Sequence, residues 1–380
     1  MPNRSALAAA CGLILCTACG SAGSSTQDWA DWSAFTGRFL QEDGRIVDLT
    51  FEQKSTSEGQ SYGLFLALVA NDRKSFESIL RWSSLNLAHA ELGKRLPAWH
   101  WGKKEDGSWG IKDPNPASDA DLFFAYALLE AARLWKEPSY EQLGRRILKL
   151  VAETEIAQAG EGGTQLLPGP MGFDLGEGRY RIDPSYLPNF MFRYLATVDP
   201  KGPWLAAWNG YVQTWPTIFA KGIAPNLYVV DQVGRVWPDS VTTHVGSYDA
   251  IRVYLWAGMS GADGARMLHQ LKPFAELIRQ RGTPPEKVDP LTGRVLSGDW
   301  SPLGFSGAVL PYLKALGEQE LLAQQLRVLR VGRAKAKLAG NANYYDEVLI
   351  LFGLGWLEGR YRFDEQGRLL PQWEQRSTAP

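Results

Sequence analysis

The sequence predicts an all-α fold, an (α/α)6 barrel in which six inner helices form a ring jacketed by six outer ones. Three observations predict it. Six runs are apolar on every side, and a helix of that kind must be enclosed. Each alternates with an amphipathic segment that keeps one polar face. The inner runs, entered at residues 60, 121, 185, 248, 304 and 344, recur at intervals of 61, 64, 63, 56 and 40 residues, a degenerate helical-hairpin repeat. Six fully apolar helices can enclose one another only as a ring, with the amphipathic set outside.

An amphipathic candidate at 28–42 comes first in the chain. The inner runs then fall at 62–70, 122–135, 186–196, 250–259, 305–316 and 348–356. Between them lie the outer segments 74–89, 138–154, 202–220, 263–281 and 318–333. The helical period is plainest in Glu141-Gln142-Leu143-Gly144-Arg145-Arg146-Ile147-Leu148-Lys149-Leu150. Pro311 inside the fifth inner run predicts a kinked or shortened helix. Strand-like pieces around 161–182 and 225–237 predict small β-hairpins in the rim. The loops 91–118, 155–184, 222–247 and 283–303 are long and rich in Gly, Pro and Trp. All precede inner helices, so they open at one end of the barrel, where long ordered loops build binding sites.

Composition narrows the function. The 380 residues are 45% hydrophobic and 21% charged, enough for one large core. With 40 Lys+Arg against 41 Asp+Glu and no long single-sign run, the chain lacks the footprint of a nucleic-acid binder, and the expected partner is neutral. No metal or nucleotide motif stands out. All three cysteines, Cys11, Cys16 and Cys19, lie at the extreme N-terminus, which excludes a disulfide framework, a thiol nucleophile and a Cys-based zinc site from the body.

That N-terminal stretch has Arg4, an apolar run over 6–15 and then small residues, the layout of an export signal. Residues 1–26 are therefore set aside, and 27–380 are read as a single catalytic domain. Cys16-Thr17-Ala18-Cys19 before a Gly/Ser tract resembles a lipoprotein processing site with Cys19 as the acylated residue, although Cys16 stands where Leu is usual. Plain signal cleavage is the alternative. The expectation is an exported, periplasmic protein, either free or anchored at the outer membrane by one lipid group.

Three segments place acids at inner-helix mouths: Glu58 in 56–63, Asp119 and Asp121 in 117–121, and Asp249 in 247–252. Taken singly, each is most simply a capping residue, favoured by the helix dipole, and Ser118-x-x-Asp121 resembles a capping box. Taken together, acids from three inner helices meet at one narrow barrel end, where burial and like charge shift their protonation toward acid/base work. The chain also holds 15 Trp and 14 Tyr, flat faces suited to stacking on sugar rings.

The segments 56–63 (TSEGQSYG), 96–105 (LPAWHWGKKE), 117–121 (ASDAD), 184–188 (PSYLP), 247–254 (SYDAIRVY) and 284–289 (PPEKVD) resemble glycoside hydrolase family 8. The resemblance runs from about Trp32 to Trp373 and is narrowest to the branch that accompanies bacterial cellulose synthase. It implies an inverting endo-β-1,4-glucanase, without cofactor or metal, acting on a cellulose chain beside a synthase/export complex. It implies Glu58 as general acid, Asp249 as general base and Asp119 as the carboxylate that orients the sugar. Phe124 departs from the Ile or Met of the usual pattern, on a packing face.

The residues agree with that chemistry. A glycosidic oxygen leaves only when protonated, while a base on the opposite face activates water. Glu58, ahead of an apolar helix, is the candidate for the protonated group. Asp249, with Arg252 one turn later and hydroxyls at Ser247 and Tyr248, is the candidate base. Trp99 and Trp101 precede the Asp119 helix, while Tyr186, Tyr248 and Tyr345 sit at helix mouths; all five are candidate sugar-stacking residues, Trp101 and Tyr186 also by the resemblance. Trp82, Trp135, Trp256 and Trp356 fall at helical spacing and read as core.

Competing motifs are weaker. Gly59-Gln60-Ser61-Tyr62-Gly63 fits a serine nucleophile elbow, but 51–56 is too polar for the buried strand that motif requires. His89, His100, His244 and His269 lack ligand spacing, and only His100 is a cleft candidate. Gly160-Glu161-Gly162-Gly163 reads as a turn. Alternatives to the glucanase are a same-family hydrolase of xylan, chitosan or mixed-linkage glucan, and a non-catalytic glucan-binding component of a secretion complex.

Overall fold

The computed structural model describes residues 29–50, 52–239, 244–340 and 342–377; the segment assigned to an export signal lies outside them. Six inner helices appear as expected: α2 (Ser57–Val69), α4 (Ser118–Trp135), α6 (Asn189–Val198), α8 (Ala250–Met259), α11 (Leu303–Ala315) and α13 (Tyr344–Leu357). The outer layer is α1 (Ala30–Phe39), α3 (Arg73–Leu87), α5 (Pro138–Thr154), α7 (Trp204–Ile218), the pair α9 (Ala265–Leu271) and α10 (Pro273–Arg281), and α12 (Gln319–Ala339). A short helix, α14 (Gln372–Ser377), follows.

Each inner helix packs against the outer helix after it, except the last. Tyr344 at the start of α13 meets Phe35 and Phe39 of α1 at 6.1 and 5.9 Å, so the first helix of the chain jackets the last inner one. The ring closes where Phe65 of α2 stacks on Phe352 of α13 at 5.5 Å. Phe123 of α4 and Trp256 of α8 converge on the same Phe352 at 6.1 and 5.4 Å, filling the barrel axis with interlocked aromatic faces. Trp82 and Trp135 are likewise buried.

Two elements differ from the sequence reading. The outer segment 263–281 is split, because Pro273 cannot donate an N–H and instead starts a new helix at its first position. The helix α11 is not shortened by Pro311 but runs four residues beyond it. Proline leaves the Gly307 carbonyl without its intrahelical donor. A Cβ added at Gly353 of α13 would fall onto that same carbonyl oxygen, well inside van der Waals contact. Glycine at 353 therefore lets α13 press against the stretch of α11 that proline has opened.

Small antiparallel sheets decorate the rim. The strand 179–182 pairs with 228–231, which pairs with 236–238, and 156–158 pairs with 164–166. A hairpin of 100–103 with 109–113 is added to residues 55–56 just ahead of α2. At the opposite end, 361–363 pairs with 369–371, and Phe363 stacks on Phe190 at 3.7 Å. That hairpin plugs the barrel floor, leaving the N-terminal end of the inner helices as the open face.

Candidate active site

Thr56 caps α2 by accepting from the Gly59 N–H at 3.1 Å, and the Ser57 N–H donates to the Trp99 carbonyl at 3.0 Å. These two bonds fix Glu58 in the first turn, facing a cleft of ≈ 660 Å³ at the barrel mouth. Asp249 at the mouth of α8, Arg252, Trp99, Tyr186, Tyr248 and Tyr345 line the same cleft. The structure thus brings together the two carboxylates assigned acid and base roles and most of the predicted aromatics. Trp101 is placed elsewhere, packed between Trp82 and Trp109 at 5.3 and 5.4 Å.

Asp119 is 3% exposed and lies one layer beneath the cleft floor. Arg252, 5% exposed, ties that layer to the surface. Its Nη1 donates to Asp119 Oδ2 at 2.8 Å and to the Tyr62 hydroxyl at 2.7 Å, while Nη2 donates to Asp249 Oδ1 at 3.2 Å. The Tyr62 hydroxyl in turn donates to Asp119 Oδ2 at 2.8 Å, and Tyr186 lies under the guanidinium at 5.4 Å. One fork therefore sets both the buried and the open aspartate. The Tyr345 hydroxyl donates to the Tyr248 carbonyl at 2.6 Å, bracing the loop that carries Asp249.

Electrostatics separates the two cleft carboxyls. Burial, then the neighbouring Asp119, raise the Glu58 pKa to about 7, against weaker opposition from its own backbone N–H, then Arg252 and Ser57. Glu58 is thus substantially protonated at neutral pH. Asp249 has an exposed carboxylate and the Arg252 ion pair at its side. Burial also pushes Asp119 up, opposed first by Arg252 and then by the Tyr62 and Ala120 donors.

Several residues take places the sequence reading did not assign. Ser118 and Asp121 do not form a capping box: Ser118 Oγ donates to the Leu167 carbonyl at 2.6 Å. Asp121 is instead buried beside Glu155 at the end of α5, and burial, then mutual repulsion, push its carboxyl well above the usual range. Asp183 is raised likewise, by burial and then by Asp249. Tyr62 was legible in principle, since it lies four residues after Glu58 on one helix face. Trp300, 62% exposed, lines the cleft from the loop before α11.

Ser61 sits within α2, its hydroxyl donating to the Glu58 carbonyl at 3.2 Å, so it is no nucleophile elbow. Gly160–Gly162 forms a single 3-10 turn. Among the described residues no cluster of His, Cys, Asp and Glu has the geometry to hold a metal ion.

Comparison with known proteins identifies the family. The chain is 45% identical over 358 residues to an endoglucanase of Xanthomonas axonopodis pv. citri, covering 93% of this chain and 91% of that one. It is 41% identical over 352 residues to an endoglucanase of Escherichia coli K12, covering 91% and 92%. The crystal structure of endo-1,4-D-glucanase from Vibrio fischeri ES114 superposes with a TM-score of 0.85 at 38% identity, over 91% of this chain and 99% of that one. Residues 5–359 match the family described as glycosyl hydrolases family 8. A ring of six inner helices in an outer helical jacket, two cleft carboxyls in unlike environments and these likenesses agree, and the chain belongs to glycosyl hydrolase family 8.

Proposed function

We propose that this enzyme hydrolyses internal β-1,4 bonds of a glucan chain with inversion at the anomeric carbon. The observation that carries the reading is the pair Glu58 and Asp249 in one cleft, the first with a pKa near 7 and the second held open on Arg252. Glu58 gives its proton to the glycosidic oxygen as the C1–O bond breaks. Asp249 takes a proton from the water whose oxygen bonds C1 on the opposite face. Inversion requires the two carboxyls roughly 6.5–9.5 Å apart, leaving room for that water. Asp119 acts from below, keeping Arg252 charged and aimed. Trp99, Tyr186, Tyr248, Tyr345 and Trp300 offer ring faces along the cleft for successive glucose units.

The relatives named above are endoglucanases, which favours glucan over xylan or chitosan. Export through the N-terminal signal, with or without acylation at Cys19, would place the enzyme in the periplasm. There it would trim a cellulose chain leaving a synthase/export complex. The test is a reducing-end assay on carboxymethylcellulose, xylan and chitosan, with Asp249→Ala as the inactive control, and proton NMR of the first product. Carboxymethylcellulose is cleaved fastest and the α-anomer appears first; a β-anomer first, or preference for xylan or chitosan, overturns the reading.

The Glu58 pKa also predicts the pH profile. Glu58 must be protonated to act, so kcat/KM falls above pH about 7, approaching tenfold per pH unit. A rate that stays flat to pH 9 would remove Glu58 from the acid role.

A further inference from the structure

Outside the cleft, the hairpin 100–103/109–113 holds an indole that the reaction does not use. Trp109 is 44% exposed, yet one face is fixed. It stacks on Trp101 at 5.4 Å, and Trp101 packs edge-on against buried Trp82 at 5.3 Å. The Arg45 guanidinium lies 4.3 Å from the Trp101 ring and 4.8 Å from the Trp109 ring. Arg45 is itself 6% exposed, its Nε donating to Ser55 Oγ at 2.9 Å and another nitrogen donating to the Gln53 carbonyl. Trp109 is thus a rigid platform, and a ligand stacking on it would not have to freeze its rotamer.

Packing alone requires only the covered face of that ring. The rest of Trp109 borders a groove of ≈ 650 Å³, with Leu49, Glu52, Lys103, Lys104 and Lys112 around it. A flat apolar face ringed by amines and carboxylates suits a pyranose: its C–H face lies on the indole and its hydroxyls reach the polar rim. The groove also shares a wall with the catalytic cleft. Asp48, Thr50 and Lys54 line the cleft, while Leu49, Glu52 and Gln53, interleaved with them in sequence, line the groove.

We propose that the Trp109 groove is a second binding site for a β-1,4-glucan chain, separate from the catalytic cleft and serving to hold the enzyme on polymer. For its ligand the inference rests on the glucanase reading above. The site matters for long or insoluble glucan and is dispensable for an oligosaccharide that fills only the cleft.

The test compares Trp109→Ala and Trp109→Phe with the unmodified enzyme. Binding to amorphous insoluble cellulose is measured by co-sedimentation in a Glu58→Gln background, and turnover of a soluble cello-oligosaccharide in the active background. Trp109→Ala weakens co-sedimentation about tenfold, Trp109→Phe retains most of it, and oligosaccharide turnover is unchanged in both. Equal binding by Trp109→Ala and its parent overturns the site. Loss of oligosaccharide turnover together with binding also overturns it, because Trp109 would then be a prop for the Arg45–Ser55 corner. Inactivity of the unmodified enzyme on β-1,4-glucans would overturn the proposed function and this site with it, whereas unchanged binding removes only the site.

Discussion

Glu58→Gln lowers kcat by about 10³-fold or more on any β-1,4-glucan while leaving glucan affinity within a few-fold. The amide matches the carboxyl in size and keeps the cap of α2, which rests on Thr56 rather than on Glu58. What it lacks is a proton to give. Glu58 holds that proton near neutral pH because burial penalises the carboxylate and Asp119 adds a like charge. The glutamine side chain needs neither effect, so the variant also gains stability relative to the parent as pH rises from the ordinary carboxylate range toward 7. The sign follows from linkage: in that window the folded parent binds more protons than its unfolded chain, so its stability falls with pH. Steady-state kinetics, affinity by calorimetry and melting at pH 5 and pH 8 check all three parts. A kcat within tenfold of the parent would falsify the acid assignment.

Arg252→Met destabilises the fold by about 3–5 kcal/mol at pH 7 and abolishes turnover. The guanidinium is the one charged donor bonded to both Asp119 and Asp249 among the described residues. Methionine fills its volume but leaves Asp119 buried with only the Tyr62 hydroxyl and the Ala120 N–H as donors. An uncompensated carboxylate in that layer takes up a proton more readily. The deficit relative to the parent is therefore largest at neutral pH and shrinks as pH falls and Asp119 protonates. Arg252→Lys keeps the charge but not the fork, so it recovers stability better than activity. Urea unfolding at pH 5 and pH 7 for the three proteins measures this. A loss below about 1 kcal/mol for Arg252→Met would show that the Asp119 layer does not depend on the ion pair.

The legibility of the fold varied with how local the signal was. The bounds of α5 are legible in the sequence, because Pro138 opens it and its apolar residues keep the helical period. The break at Pro273 carried a signal in the sequence that the amphipathic pattern across it concealed. So did the hairpin 100–103/109–113: Asp106-Gly107 between flanking tryptophans is a turn signal, obscured by reading 91–118 as one long loop. By its position in the first turn Asp121 fits a cap. Its burial beside Glu155 depends on where α5 ends against α4, which no local pattern encodes.

The candidate site divides in the same way. Which residues are acids at helix mouths, and which helices are greasy enough to form a ring, is written in the chain itself, because hydrophobic periodicity and helix starts depend on neighbours a few residues away. The burial that raises the Glu58 pKa, the seat of Asp119 beneath the floor gripping Arg252, and the turn of Trp101 away from the cleft to support Trp109 come only with the assembled barrel. Desolvation and ion pairing act through space between helices that lie 60 or more residues apart in sequence, and only packing decides which of them meet.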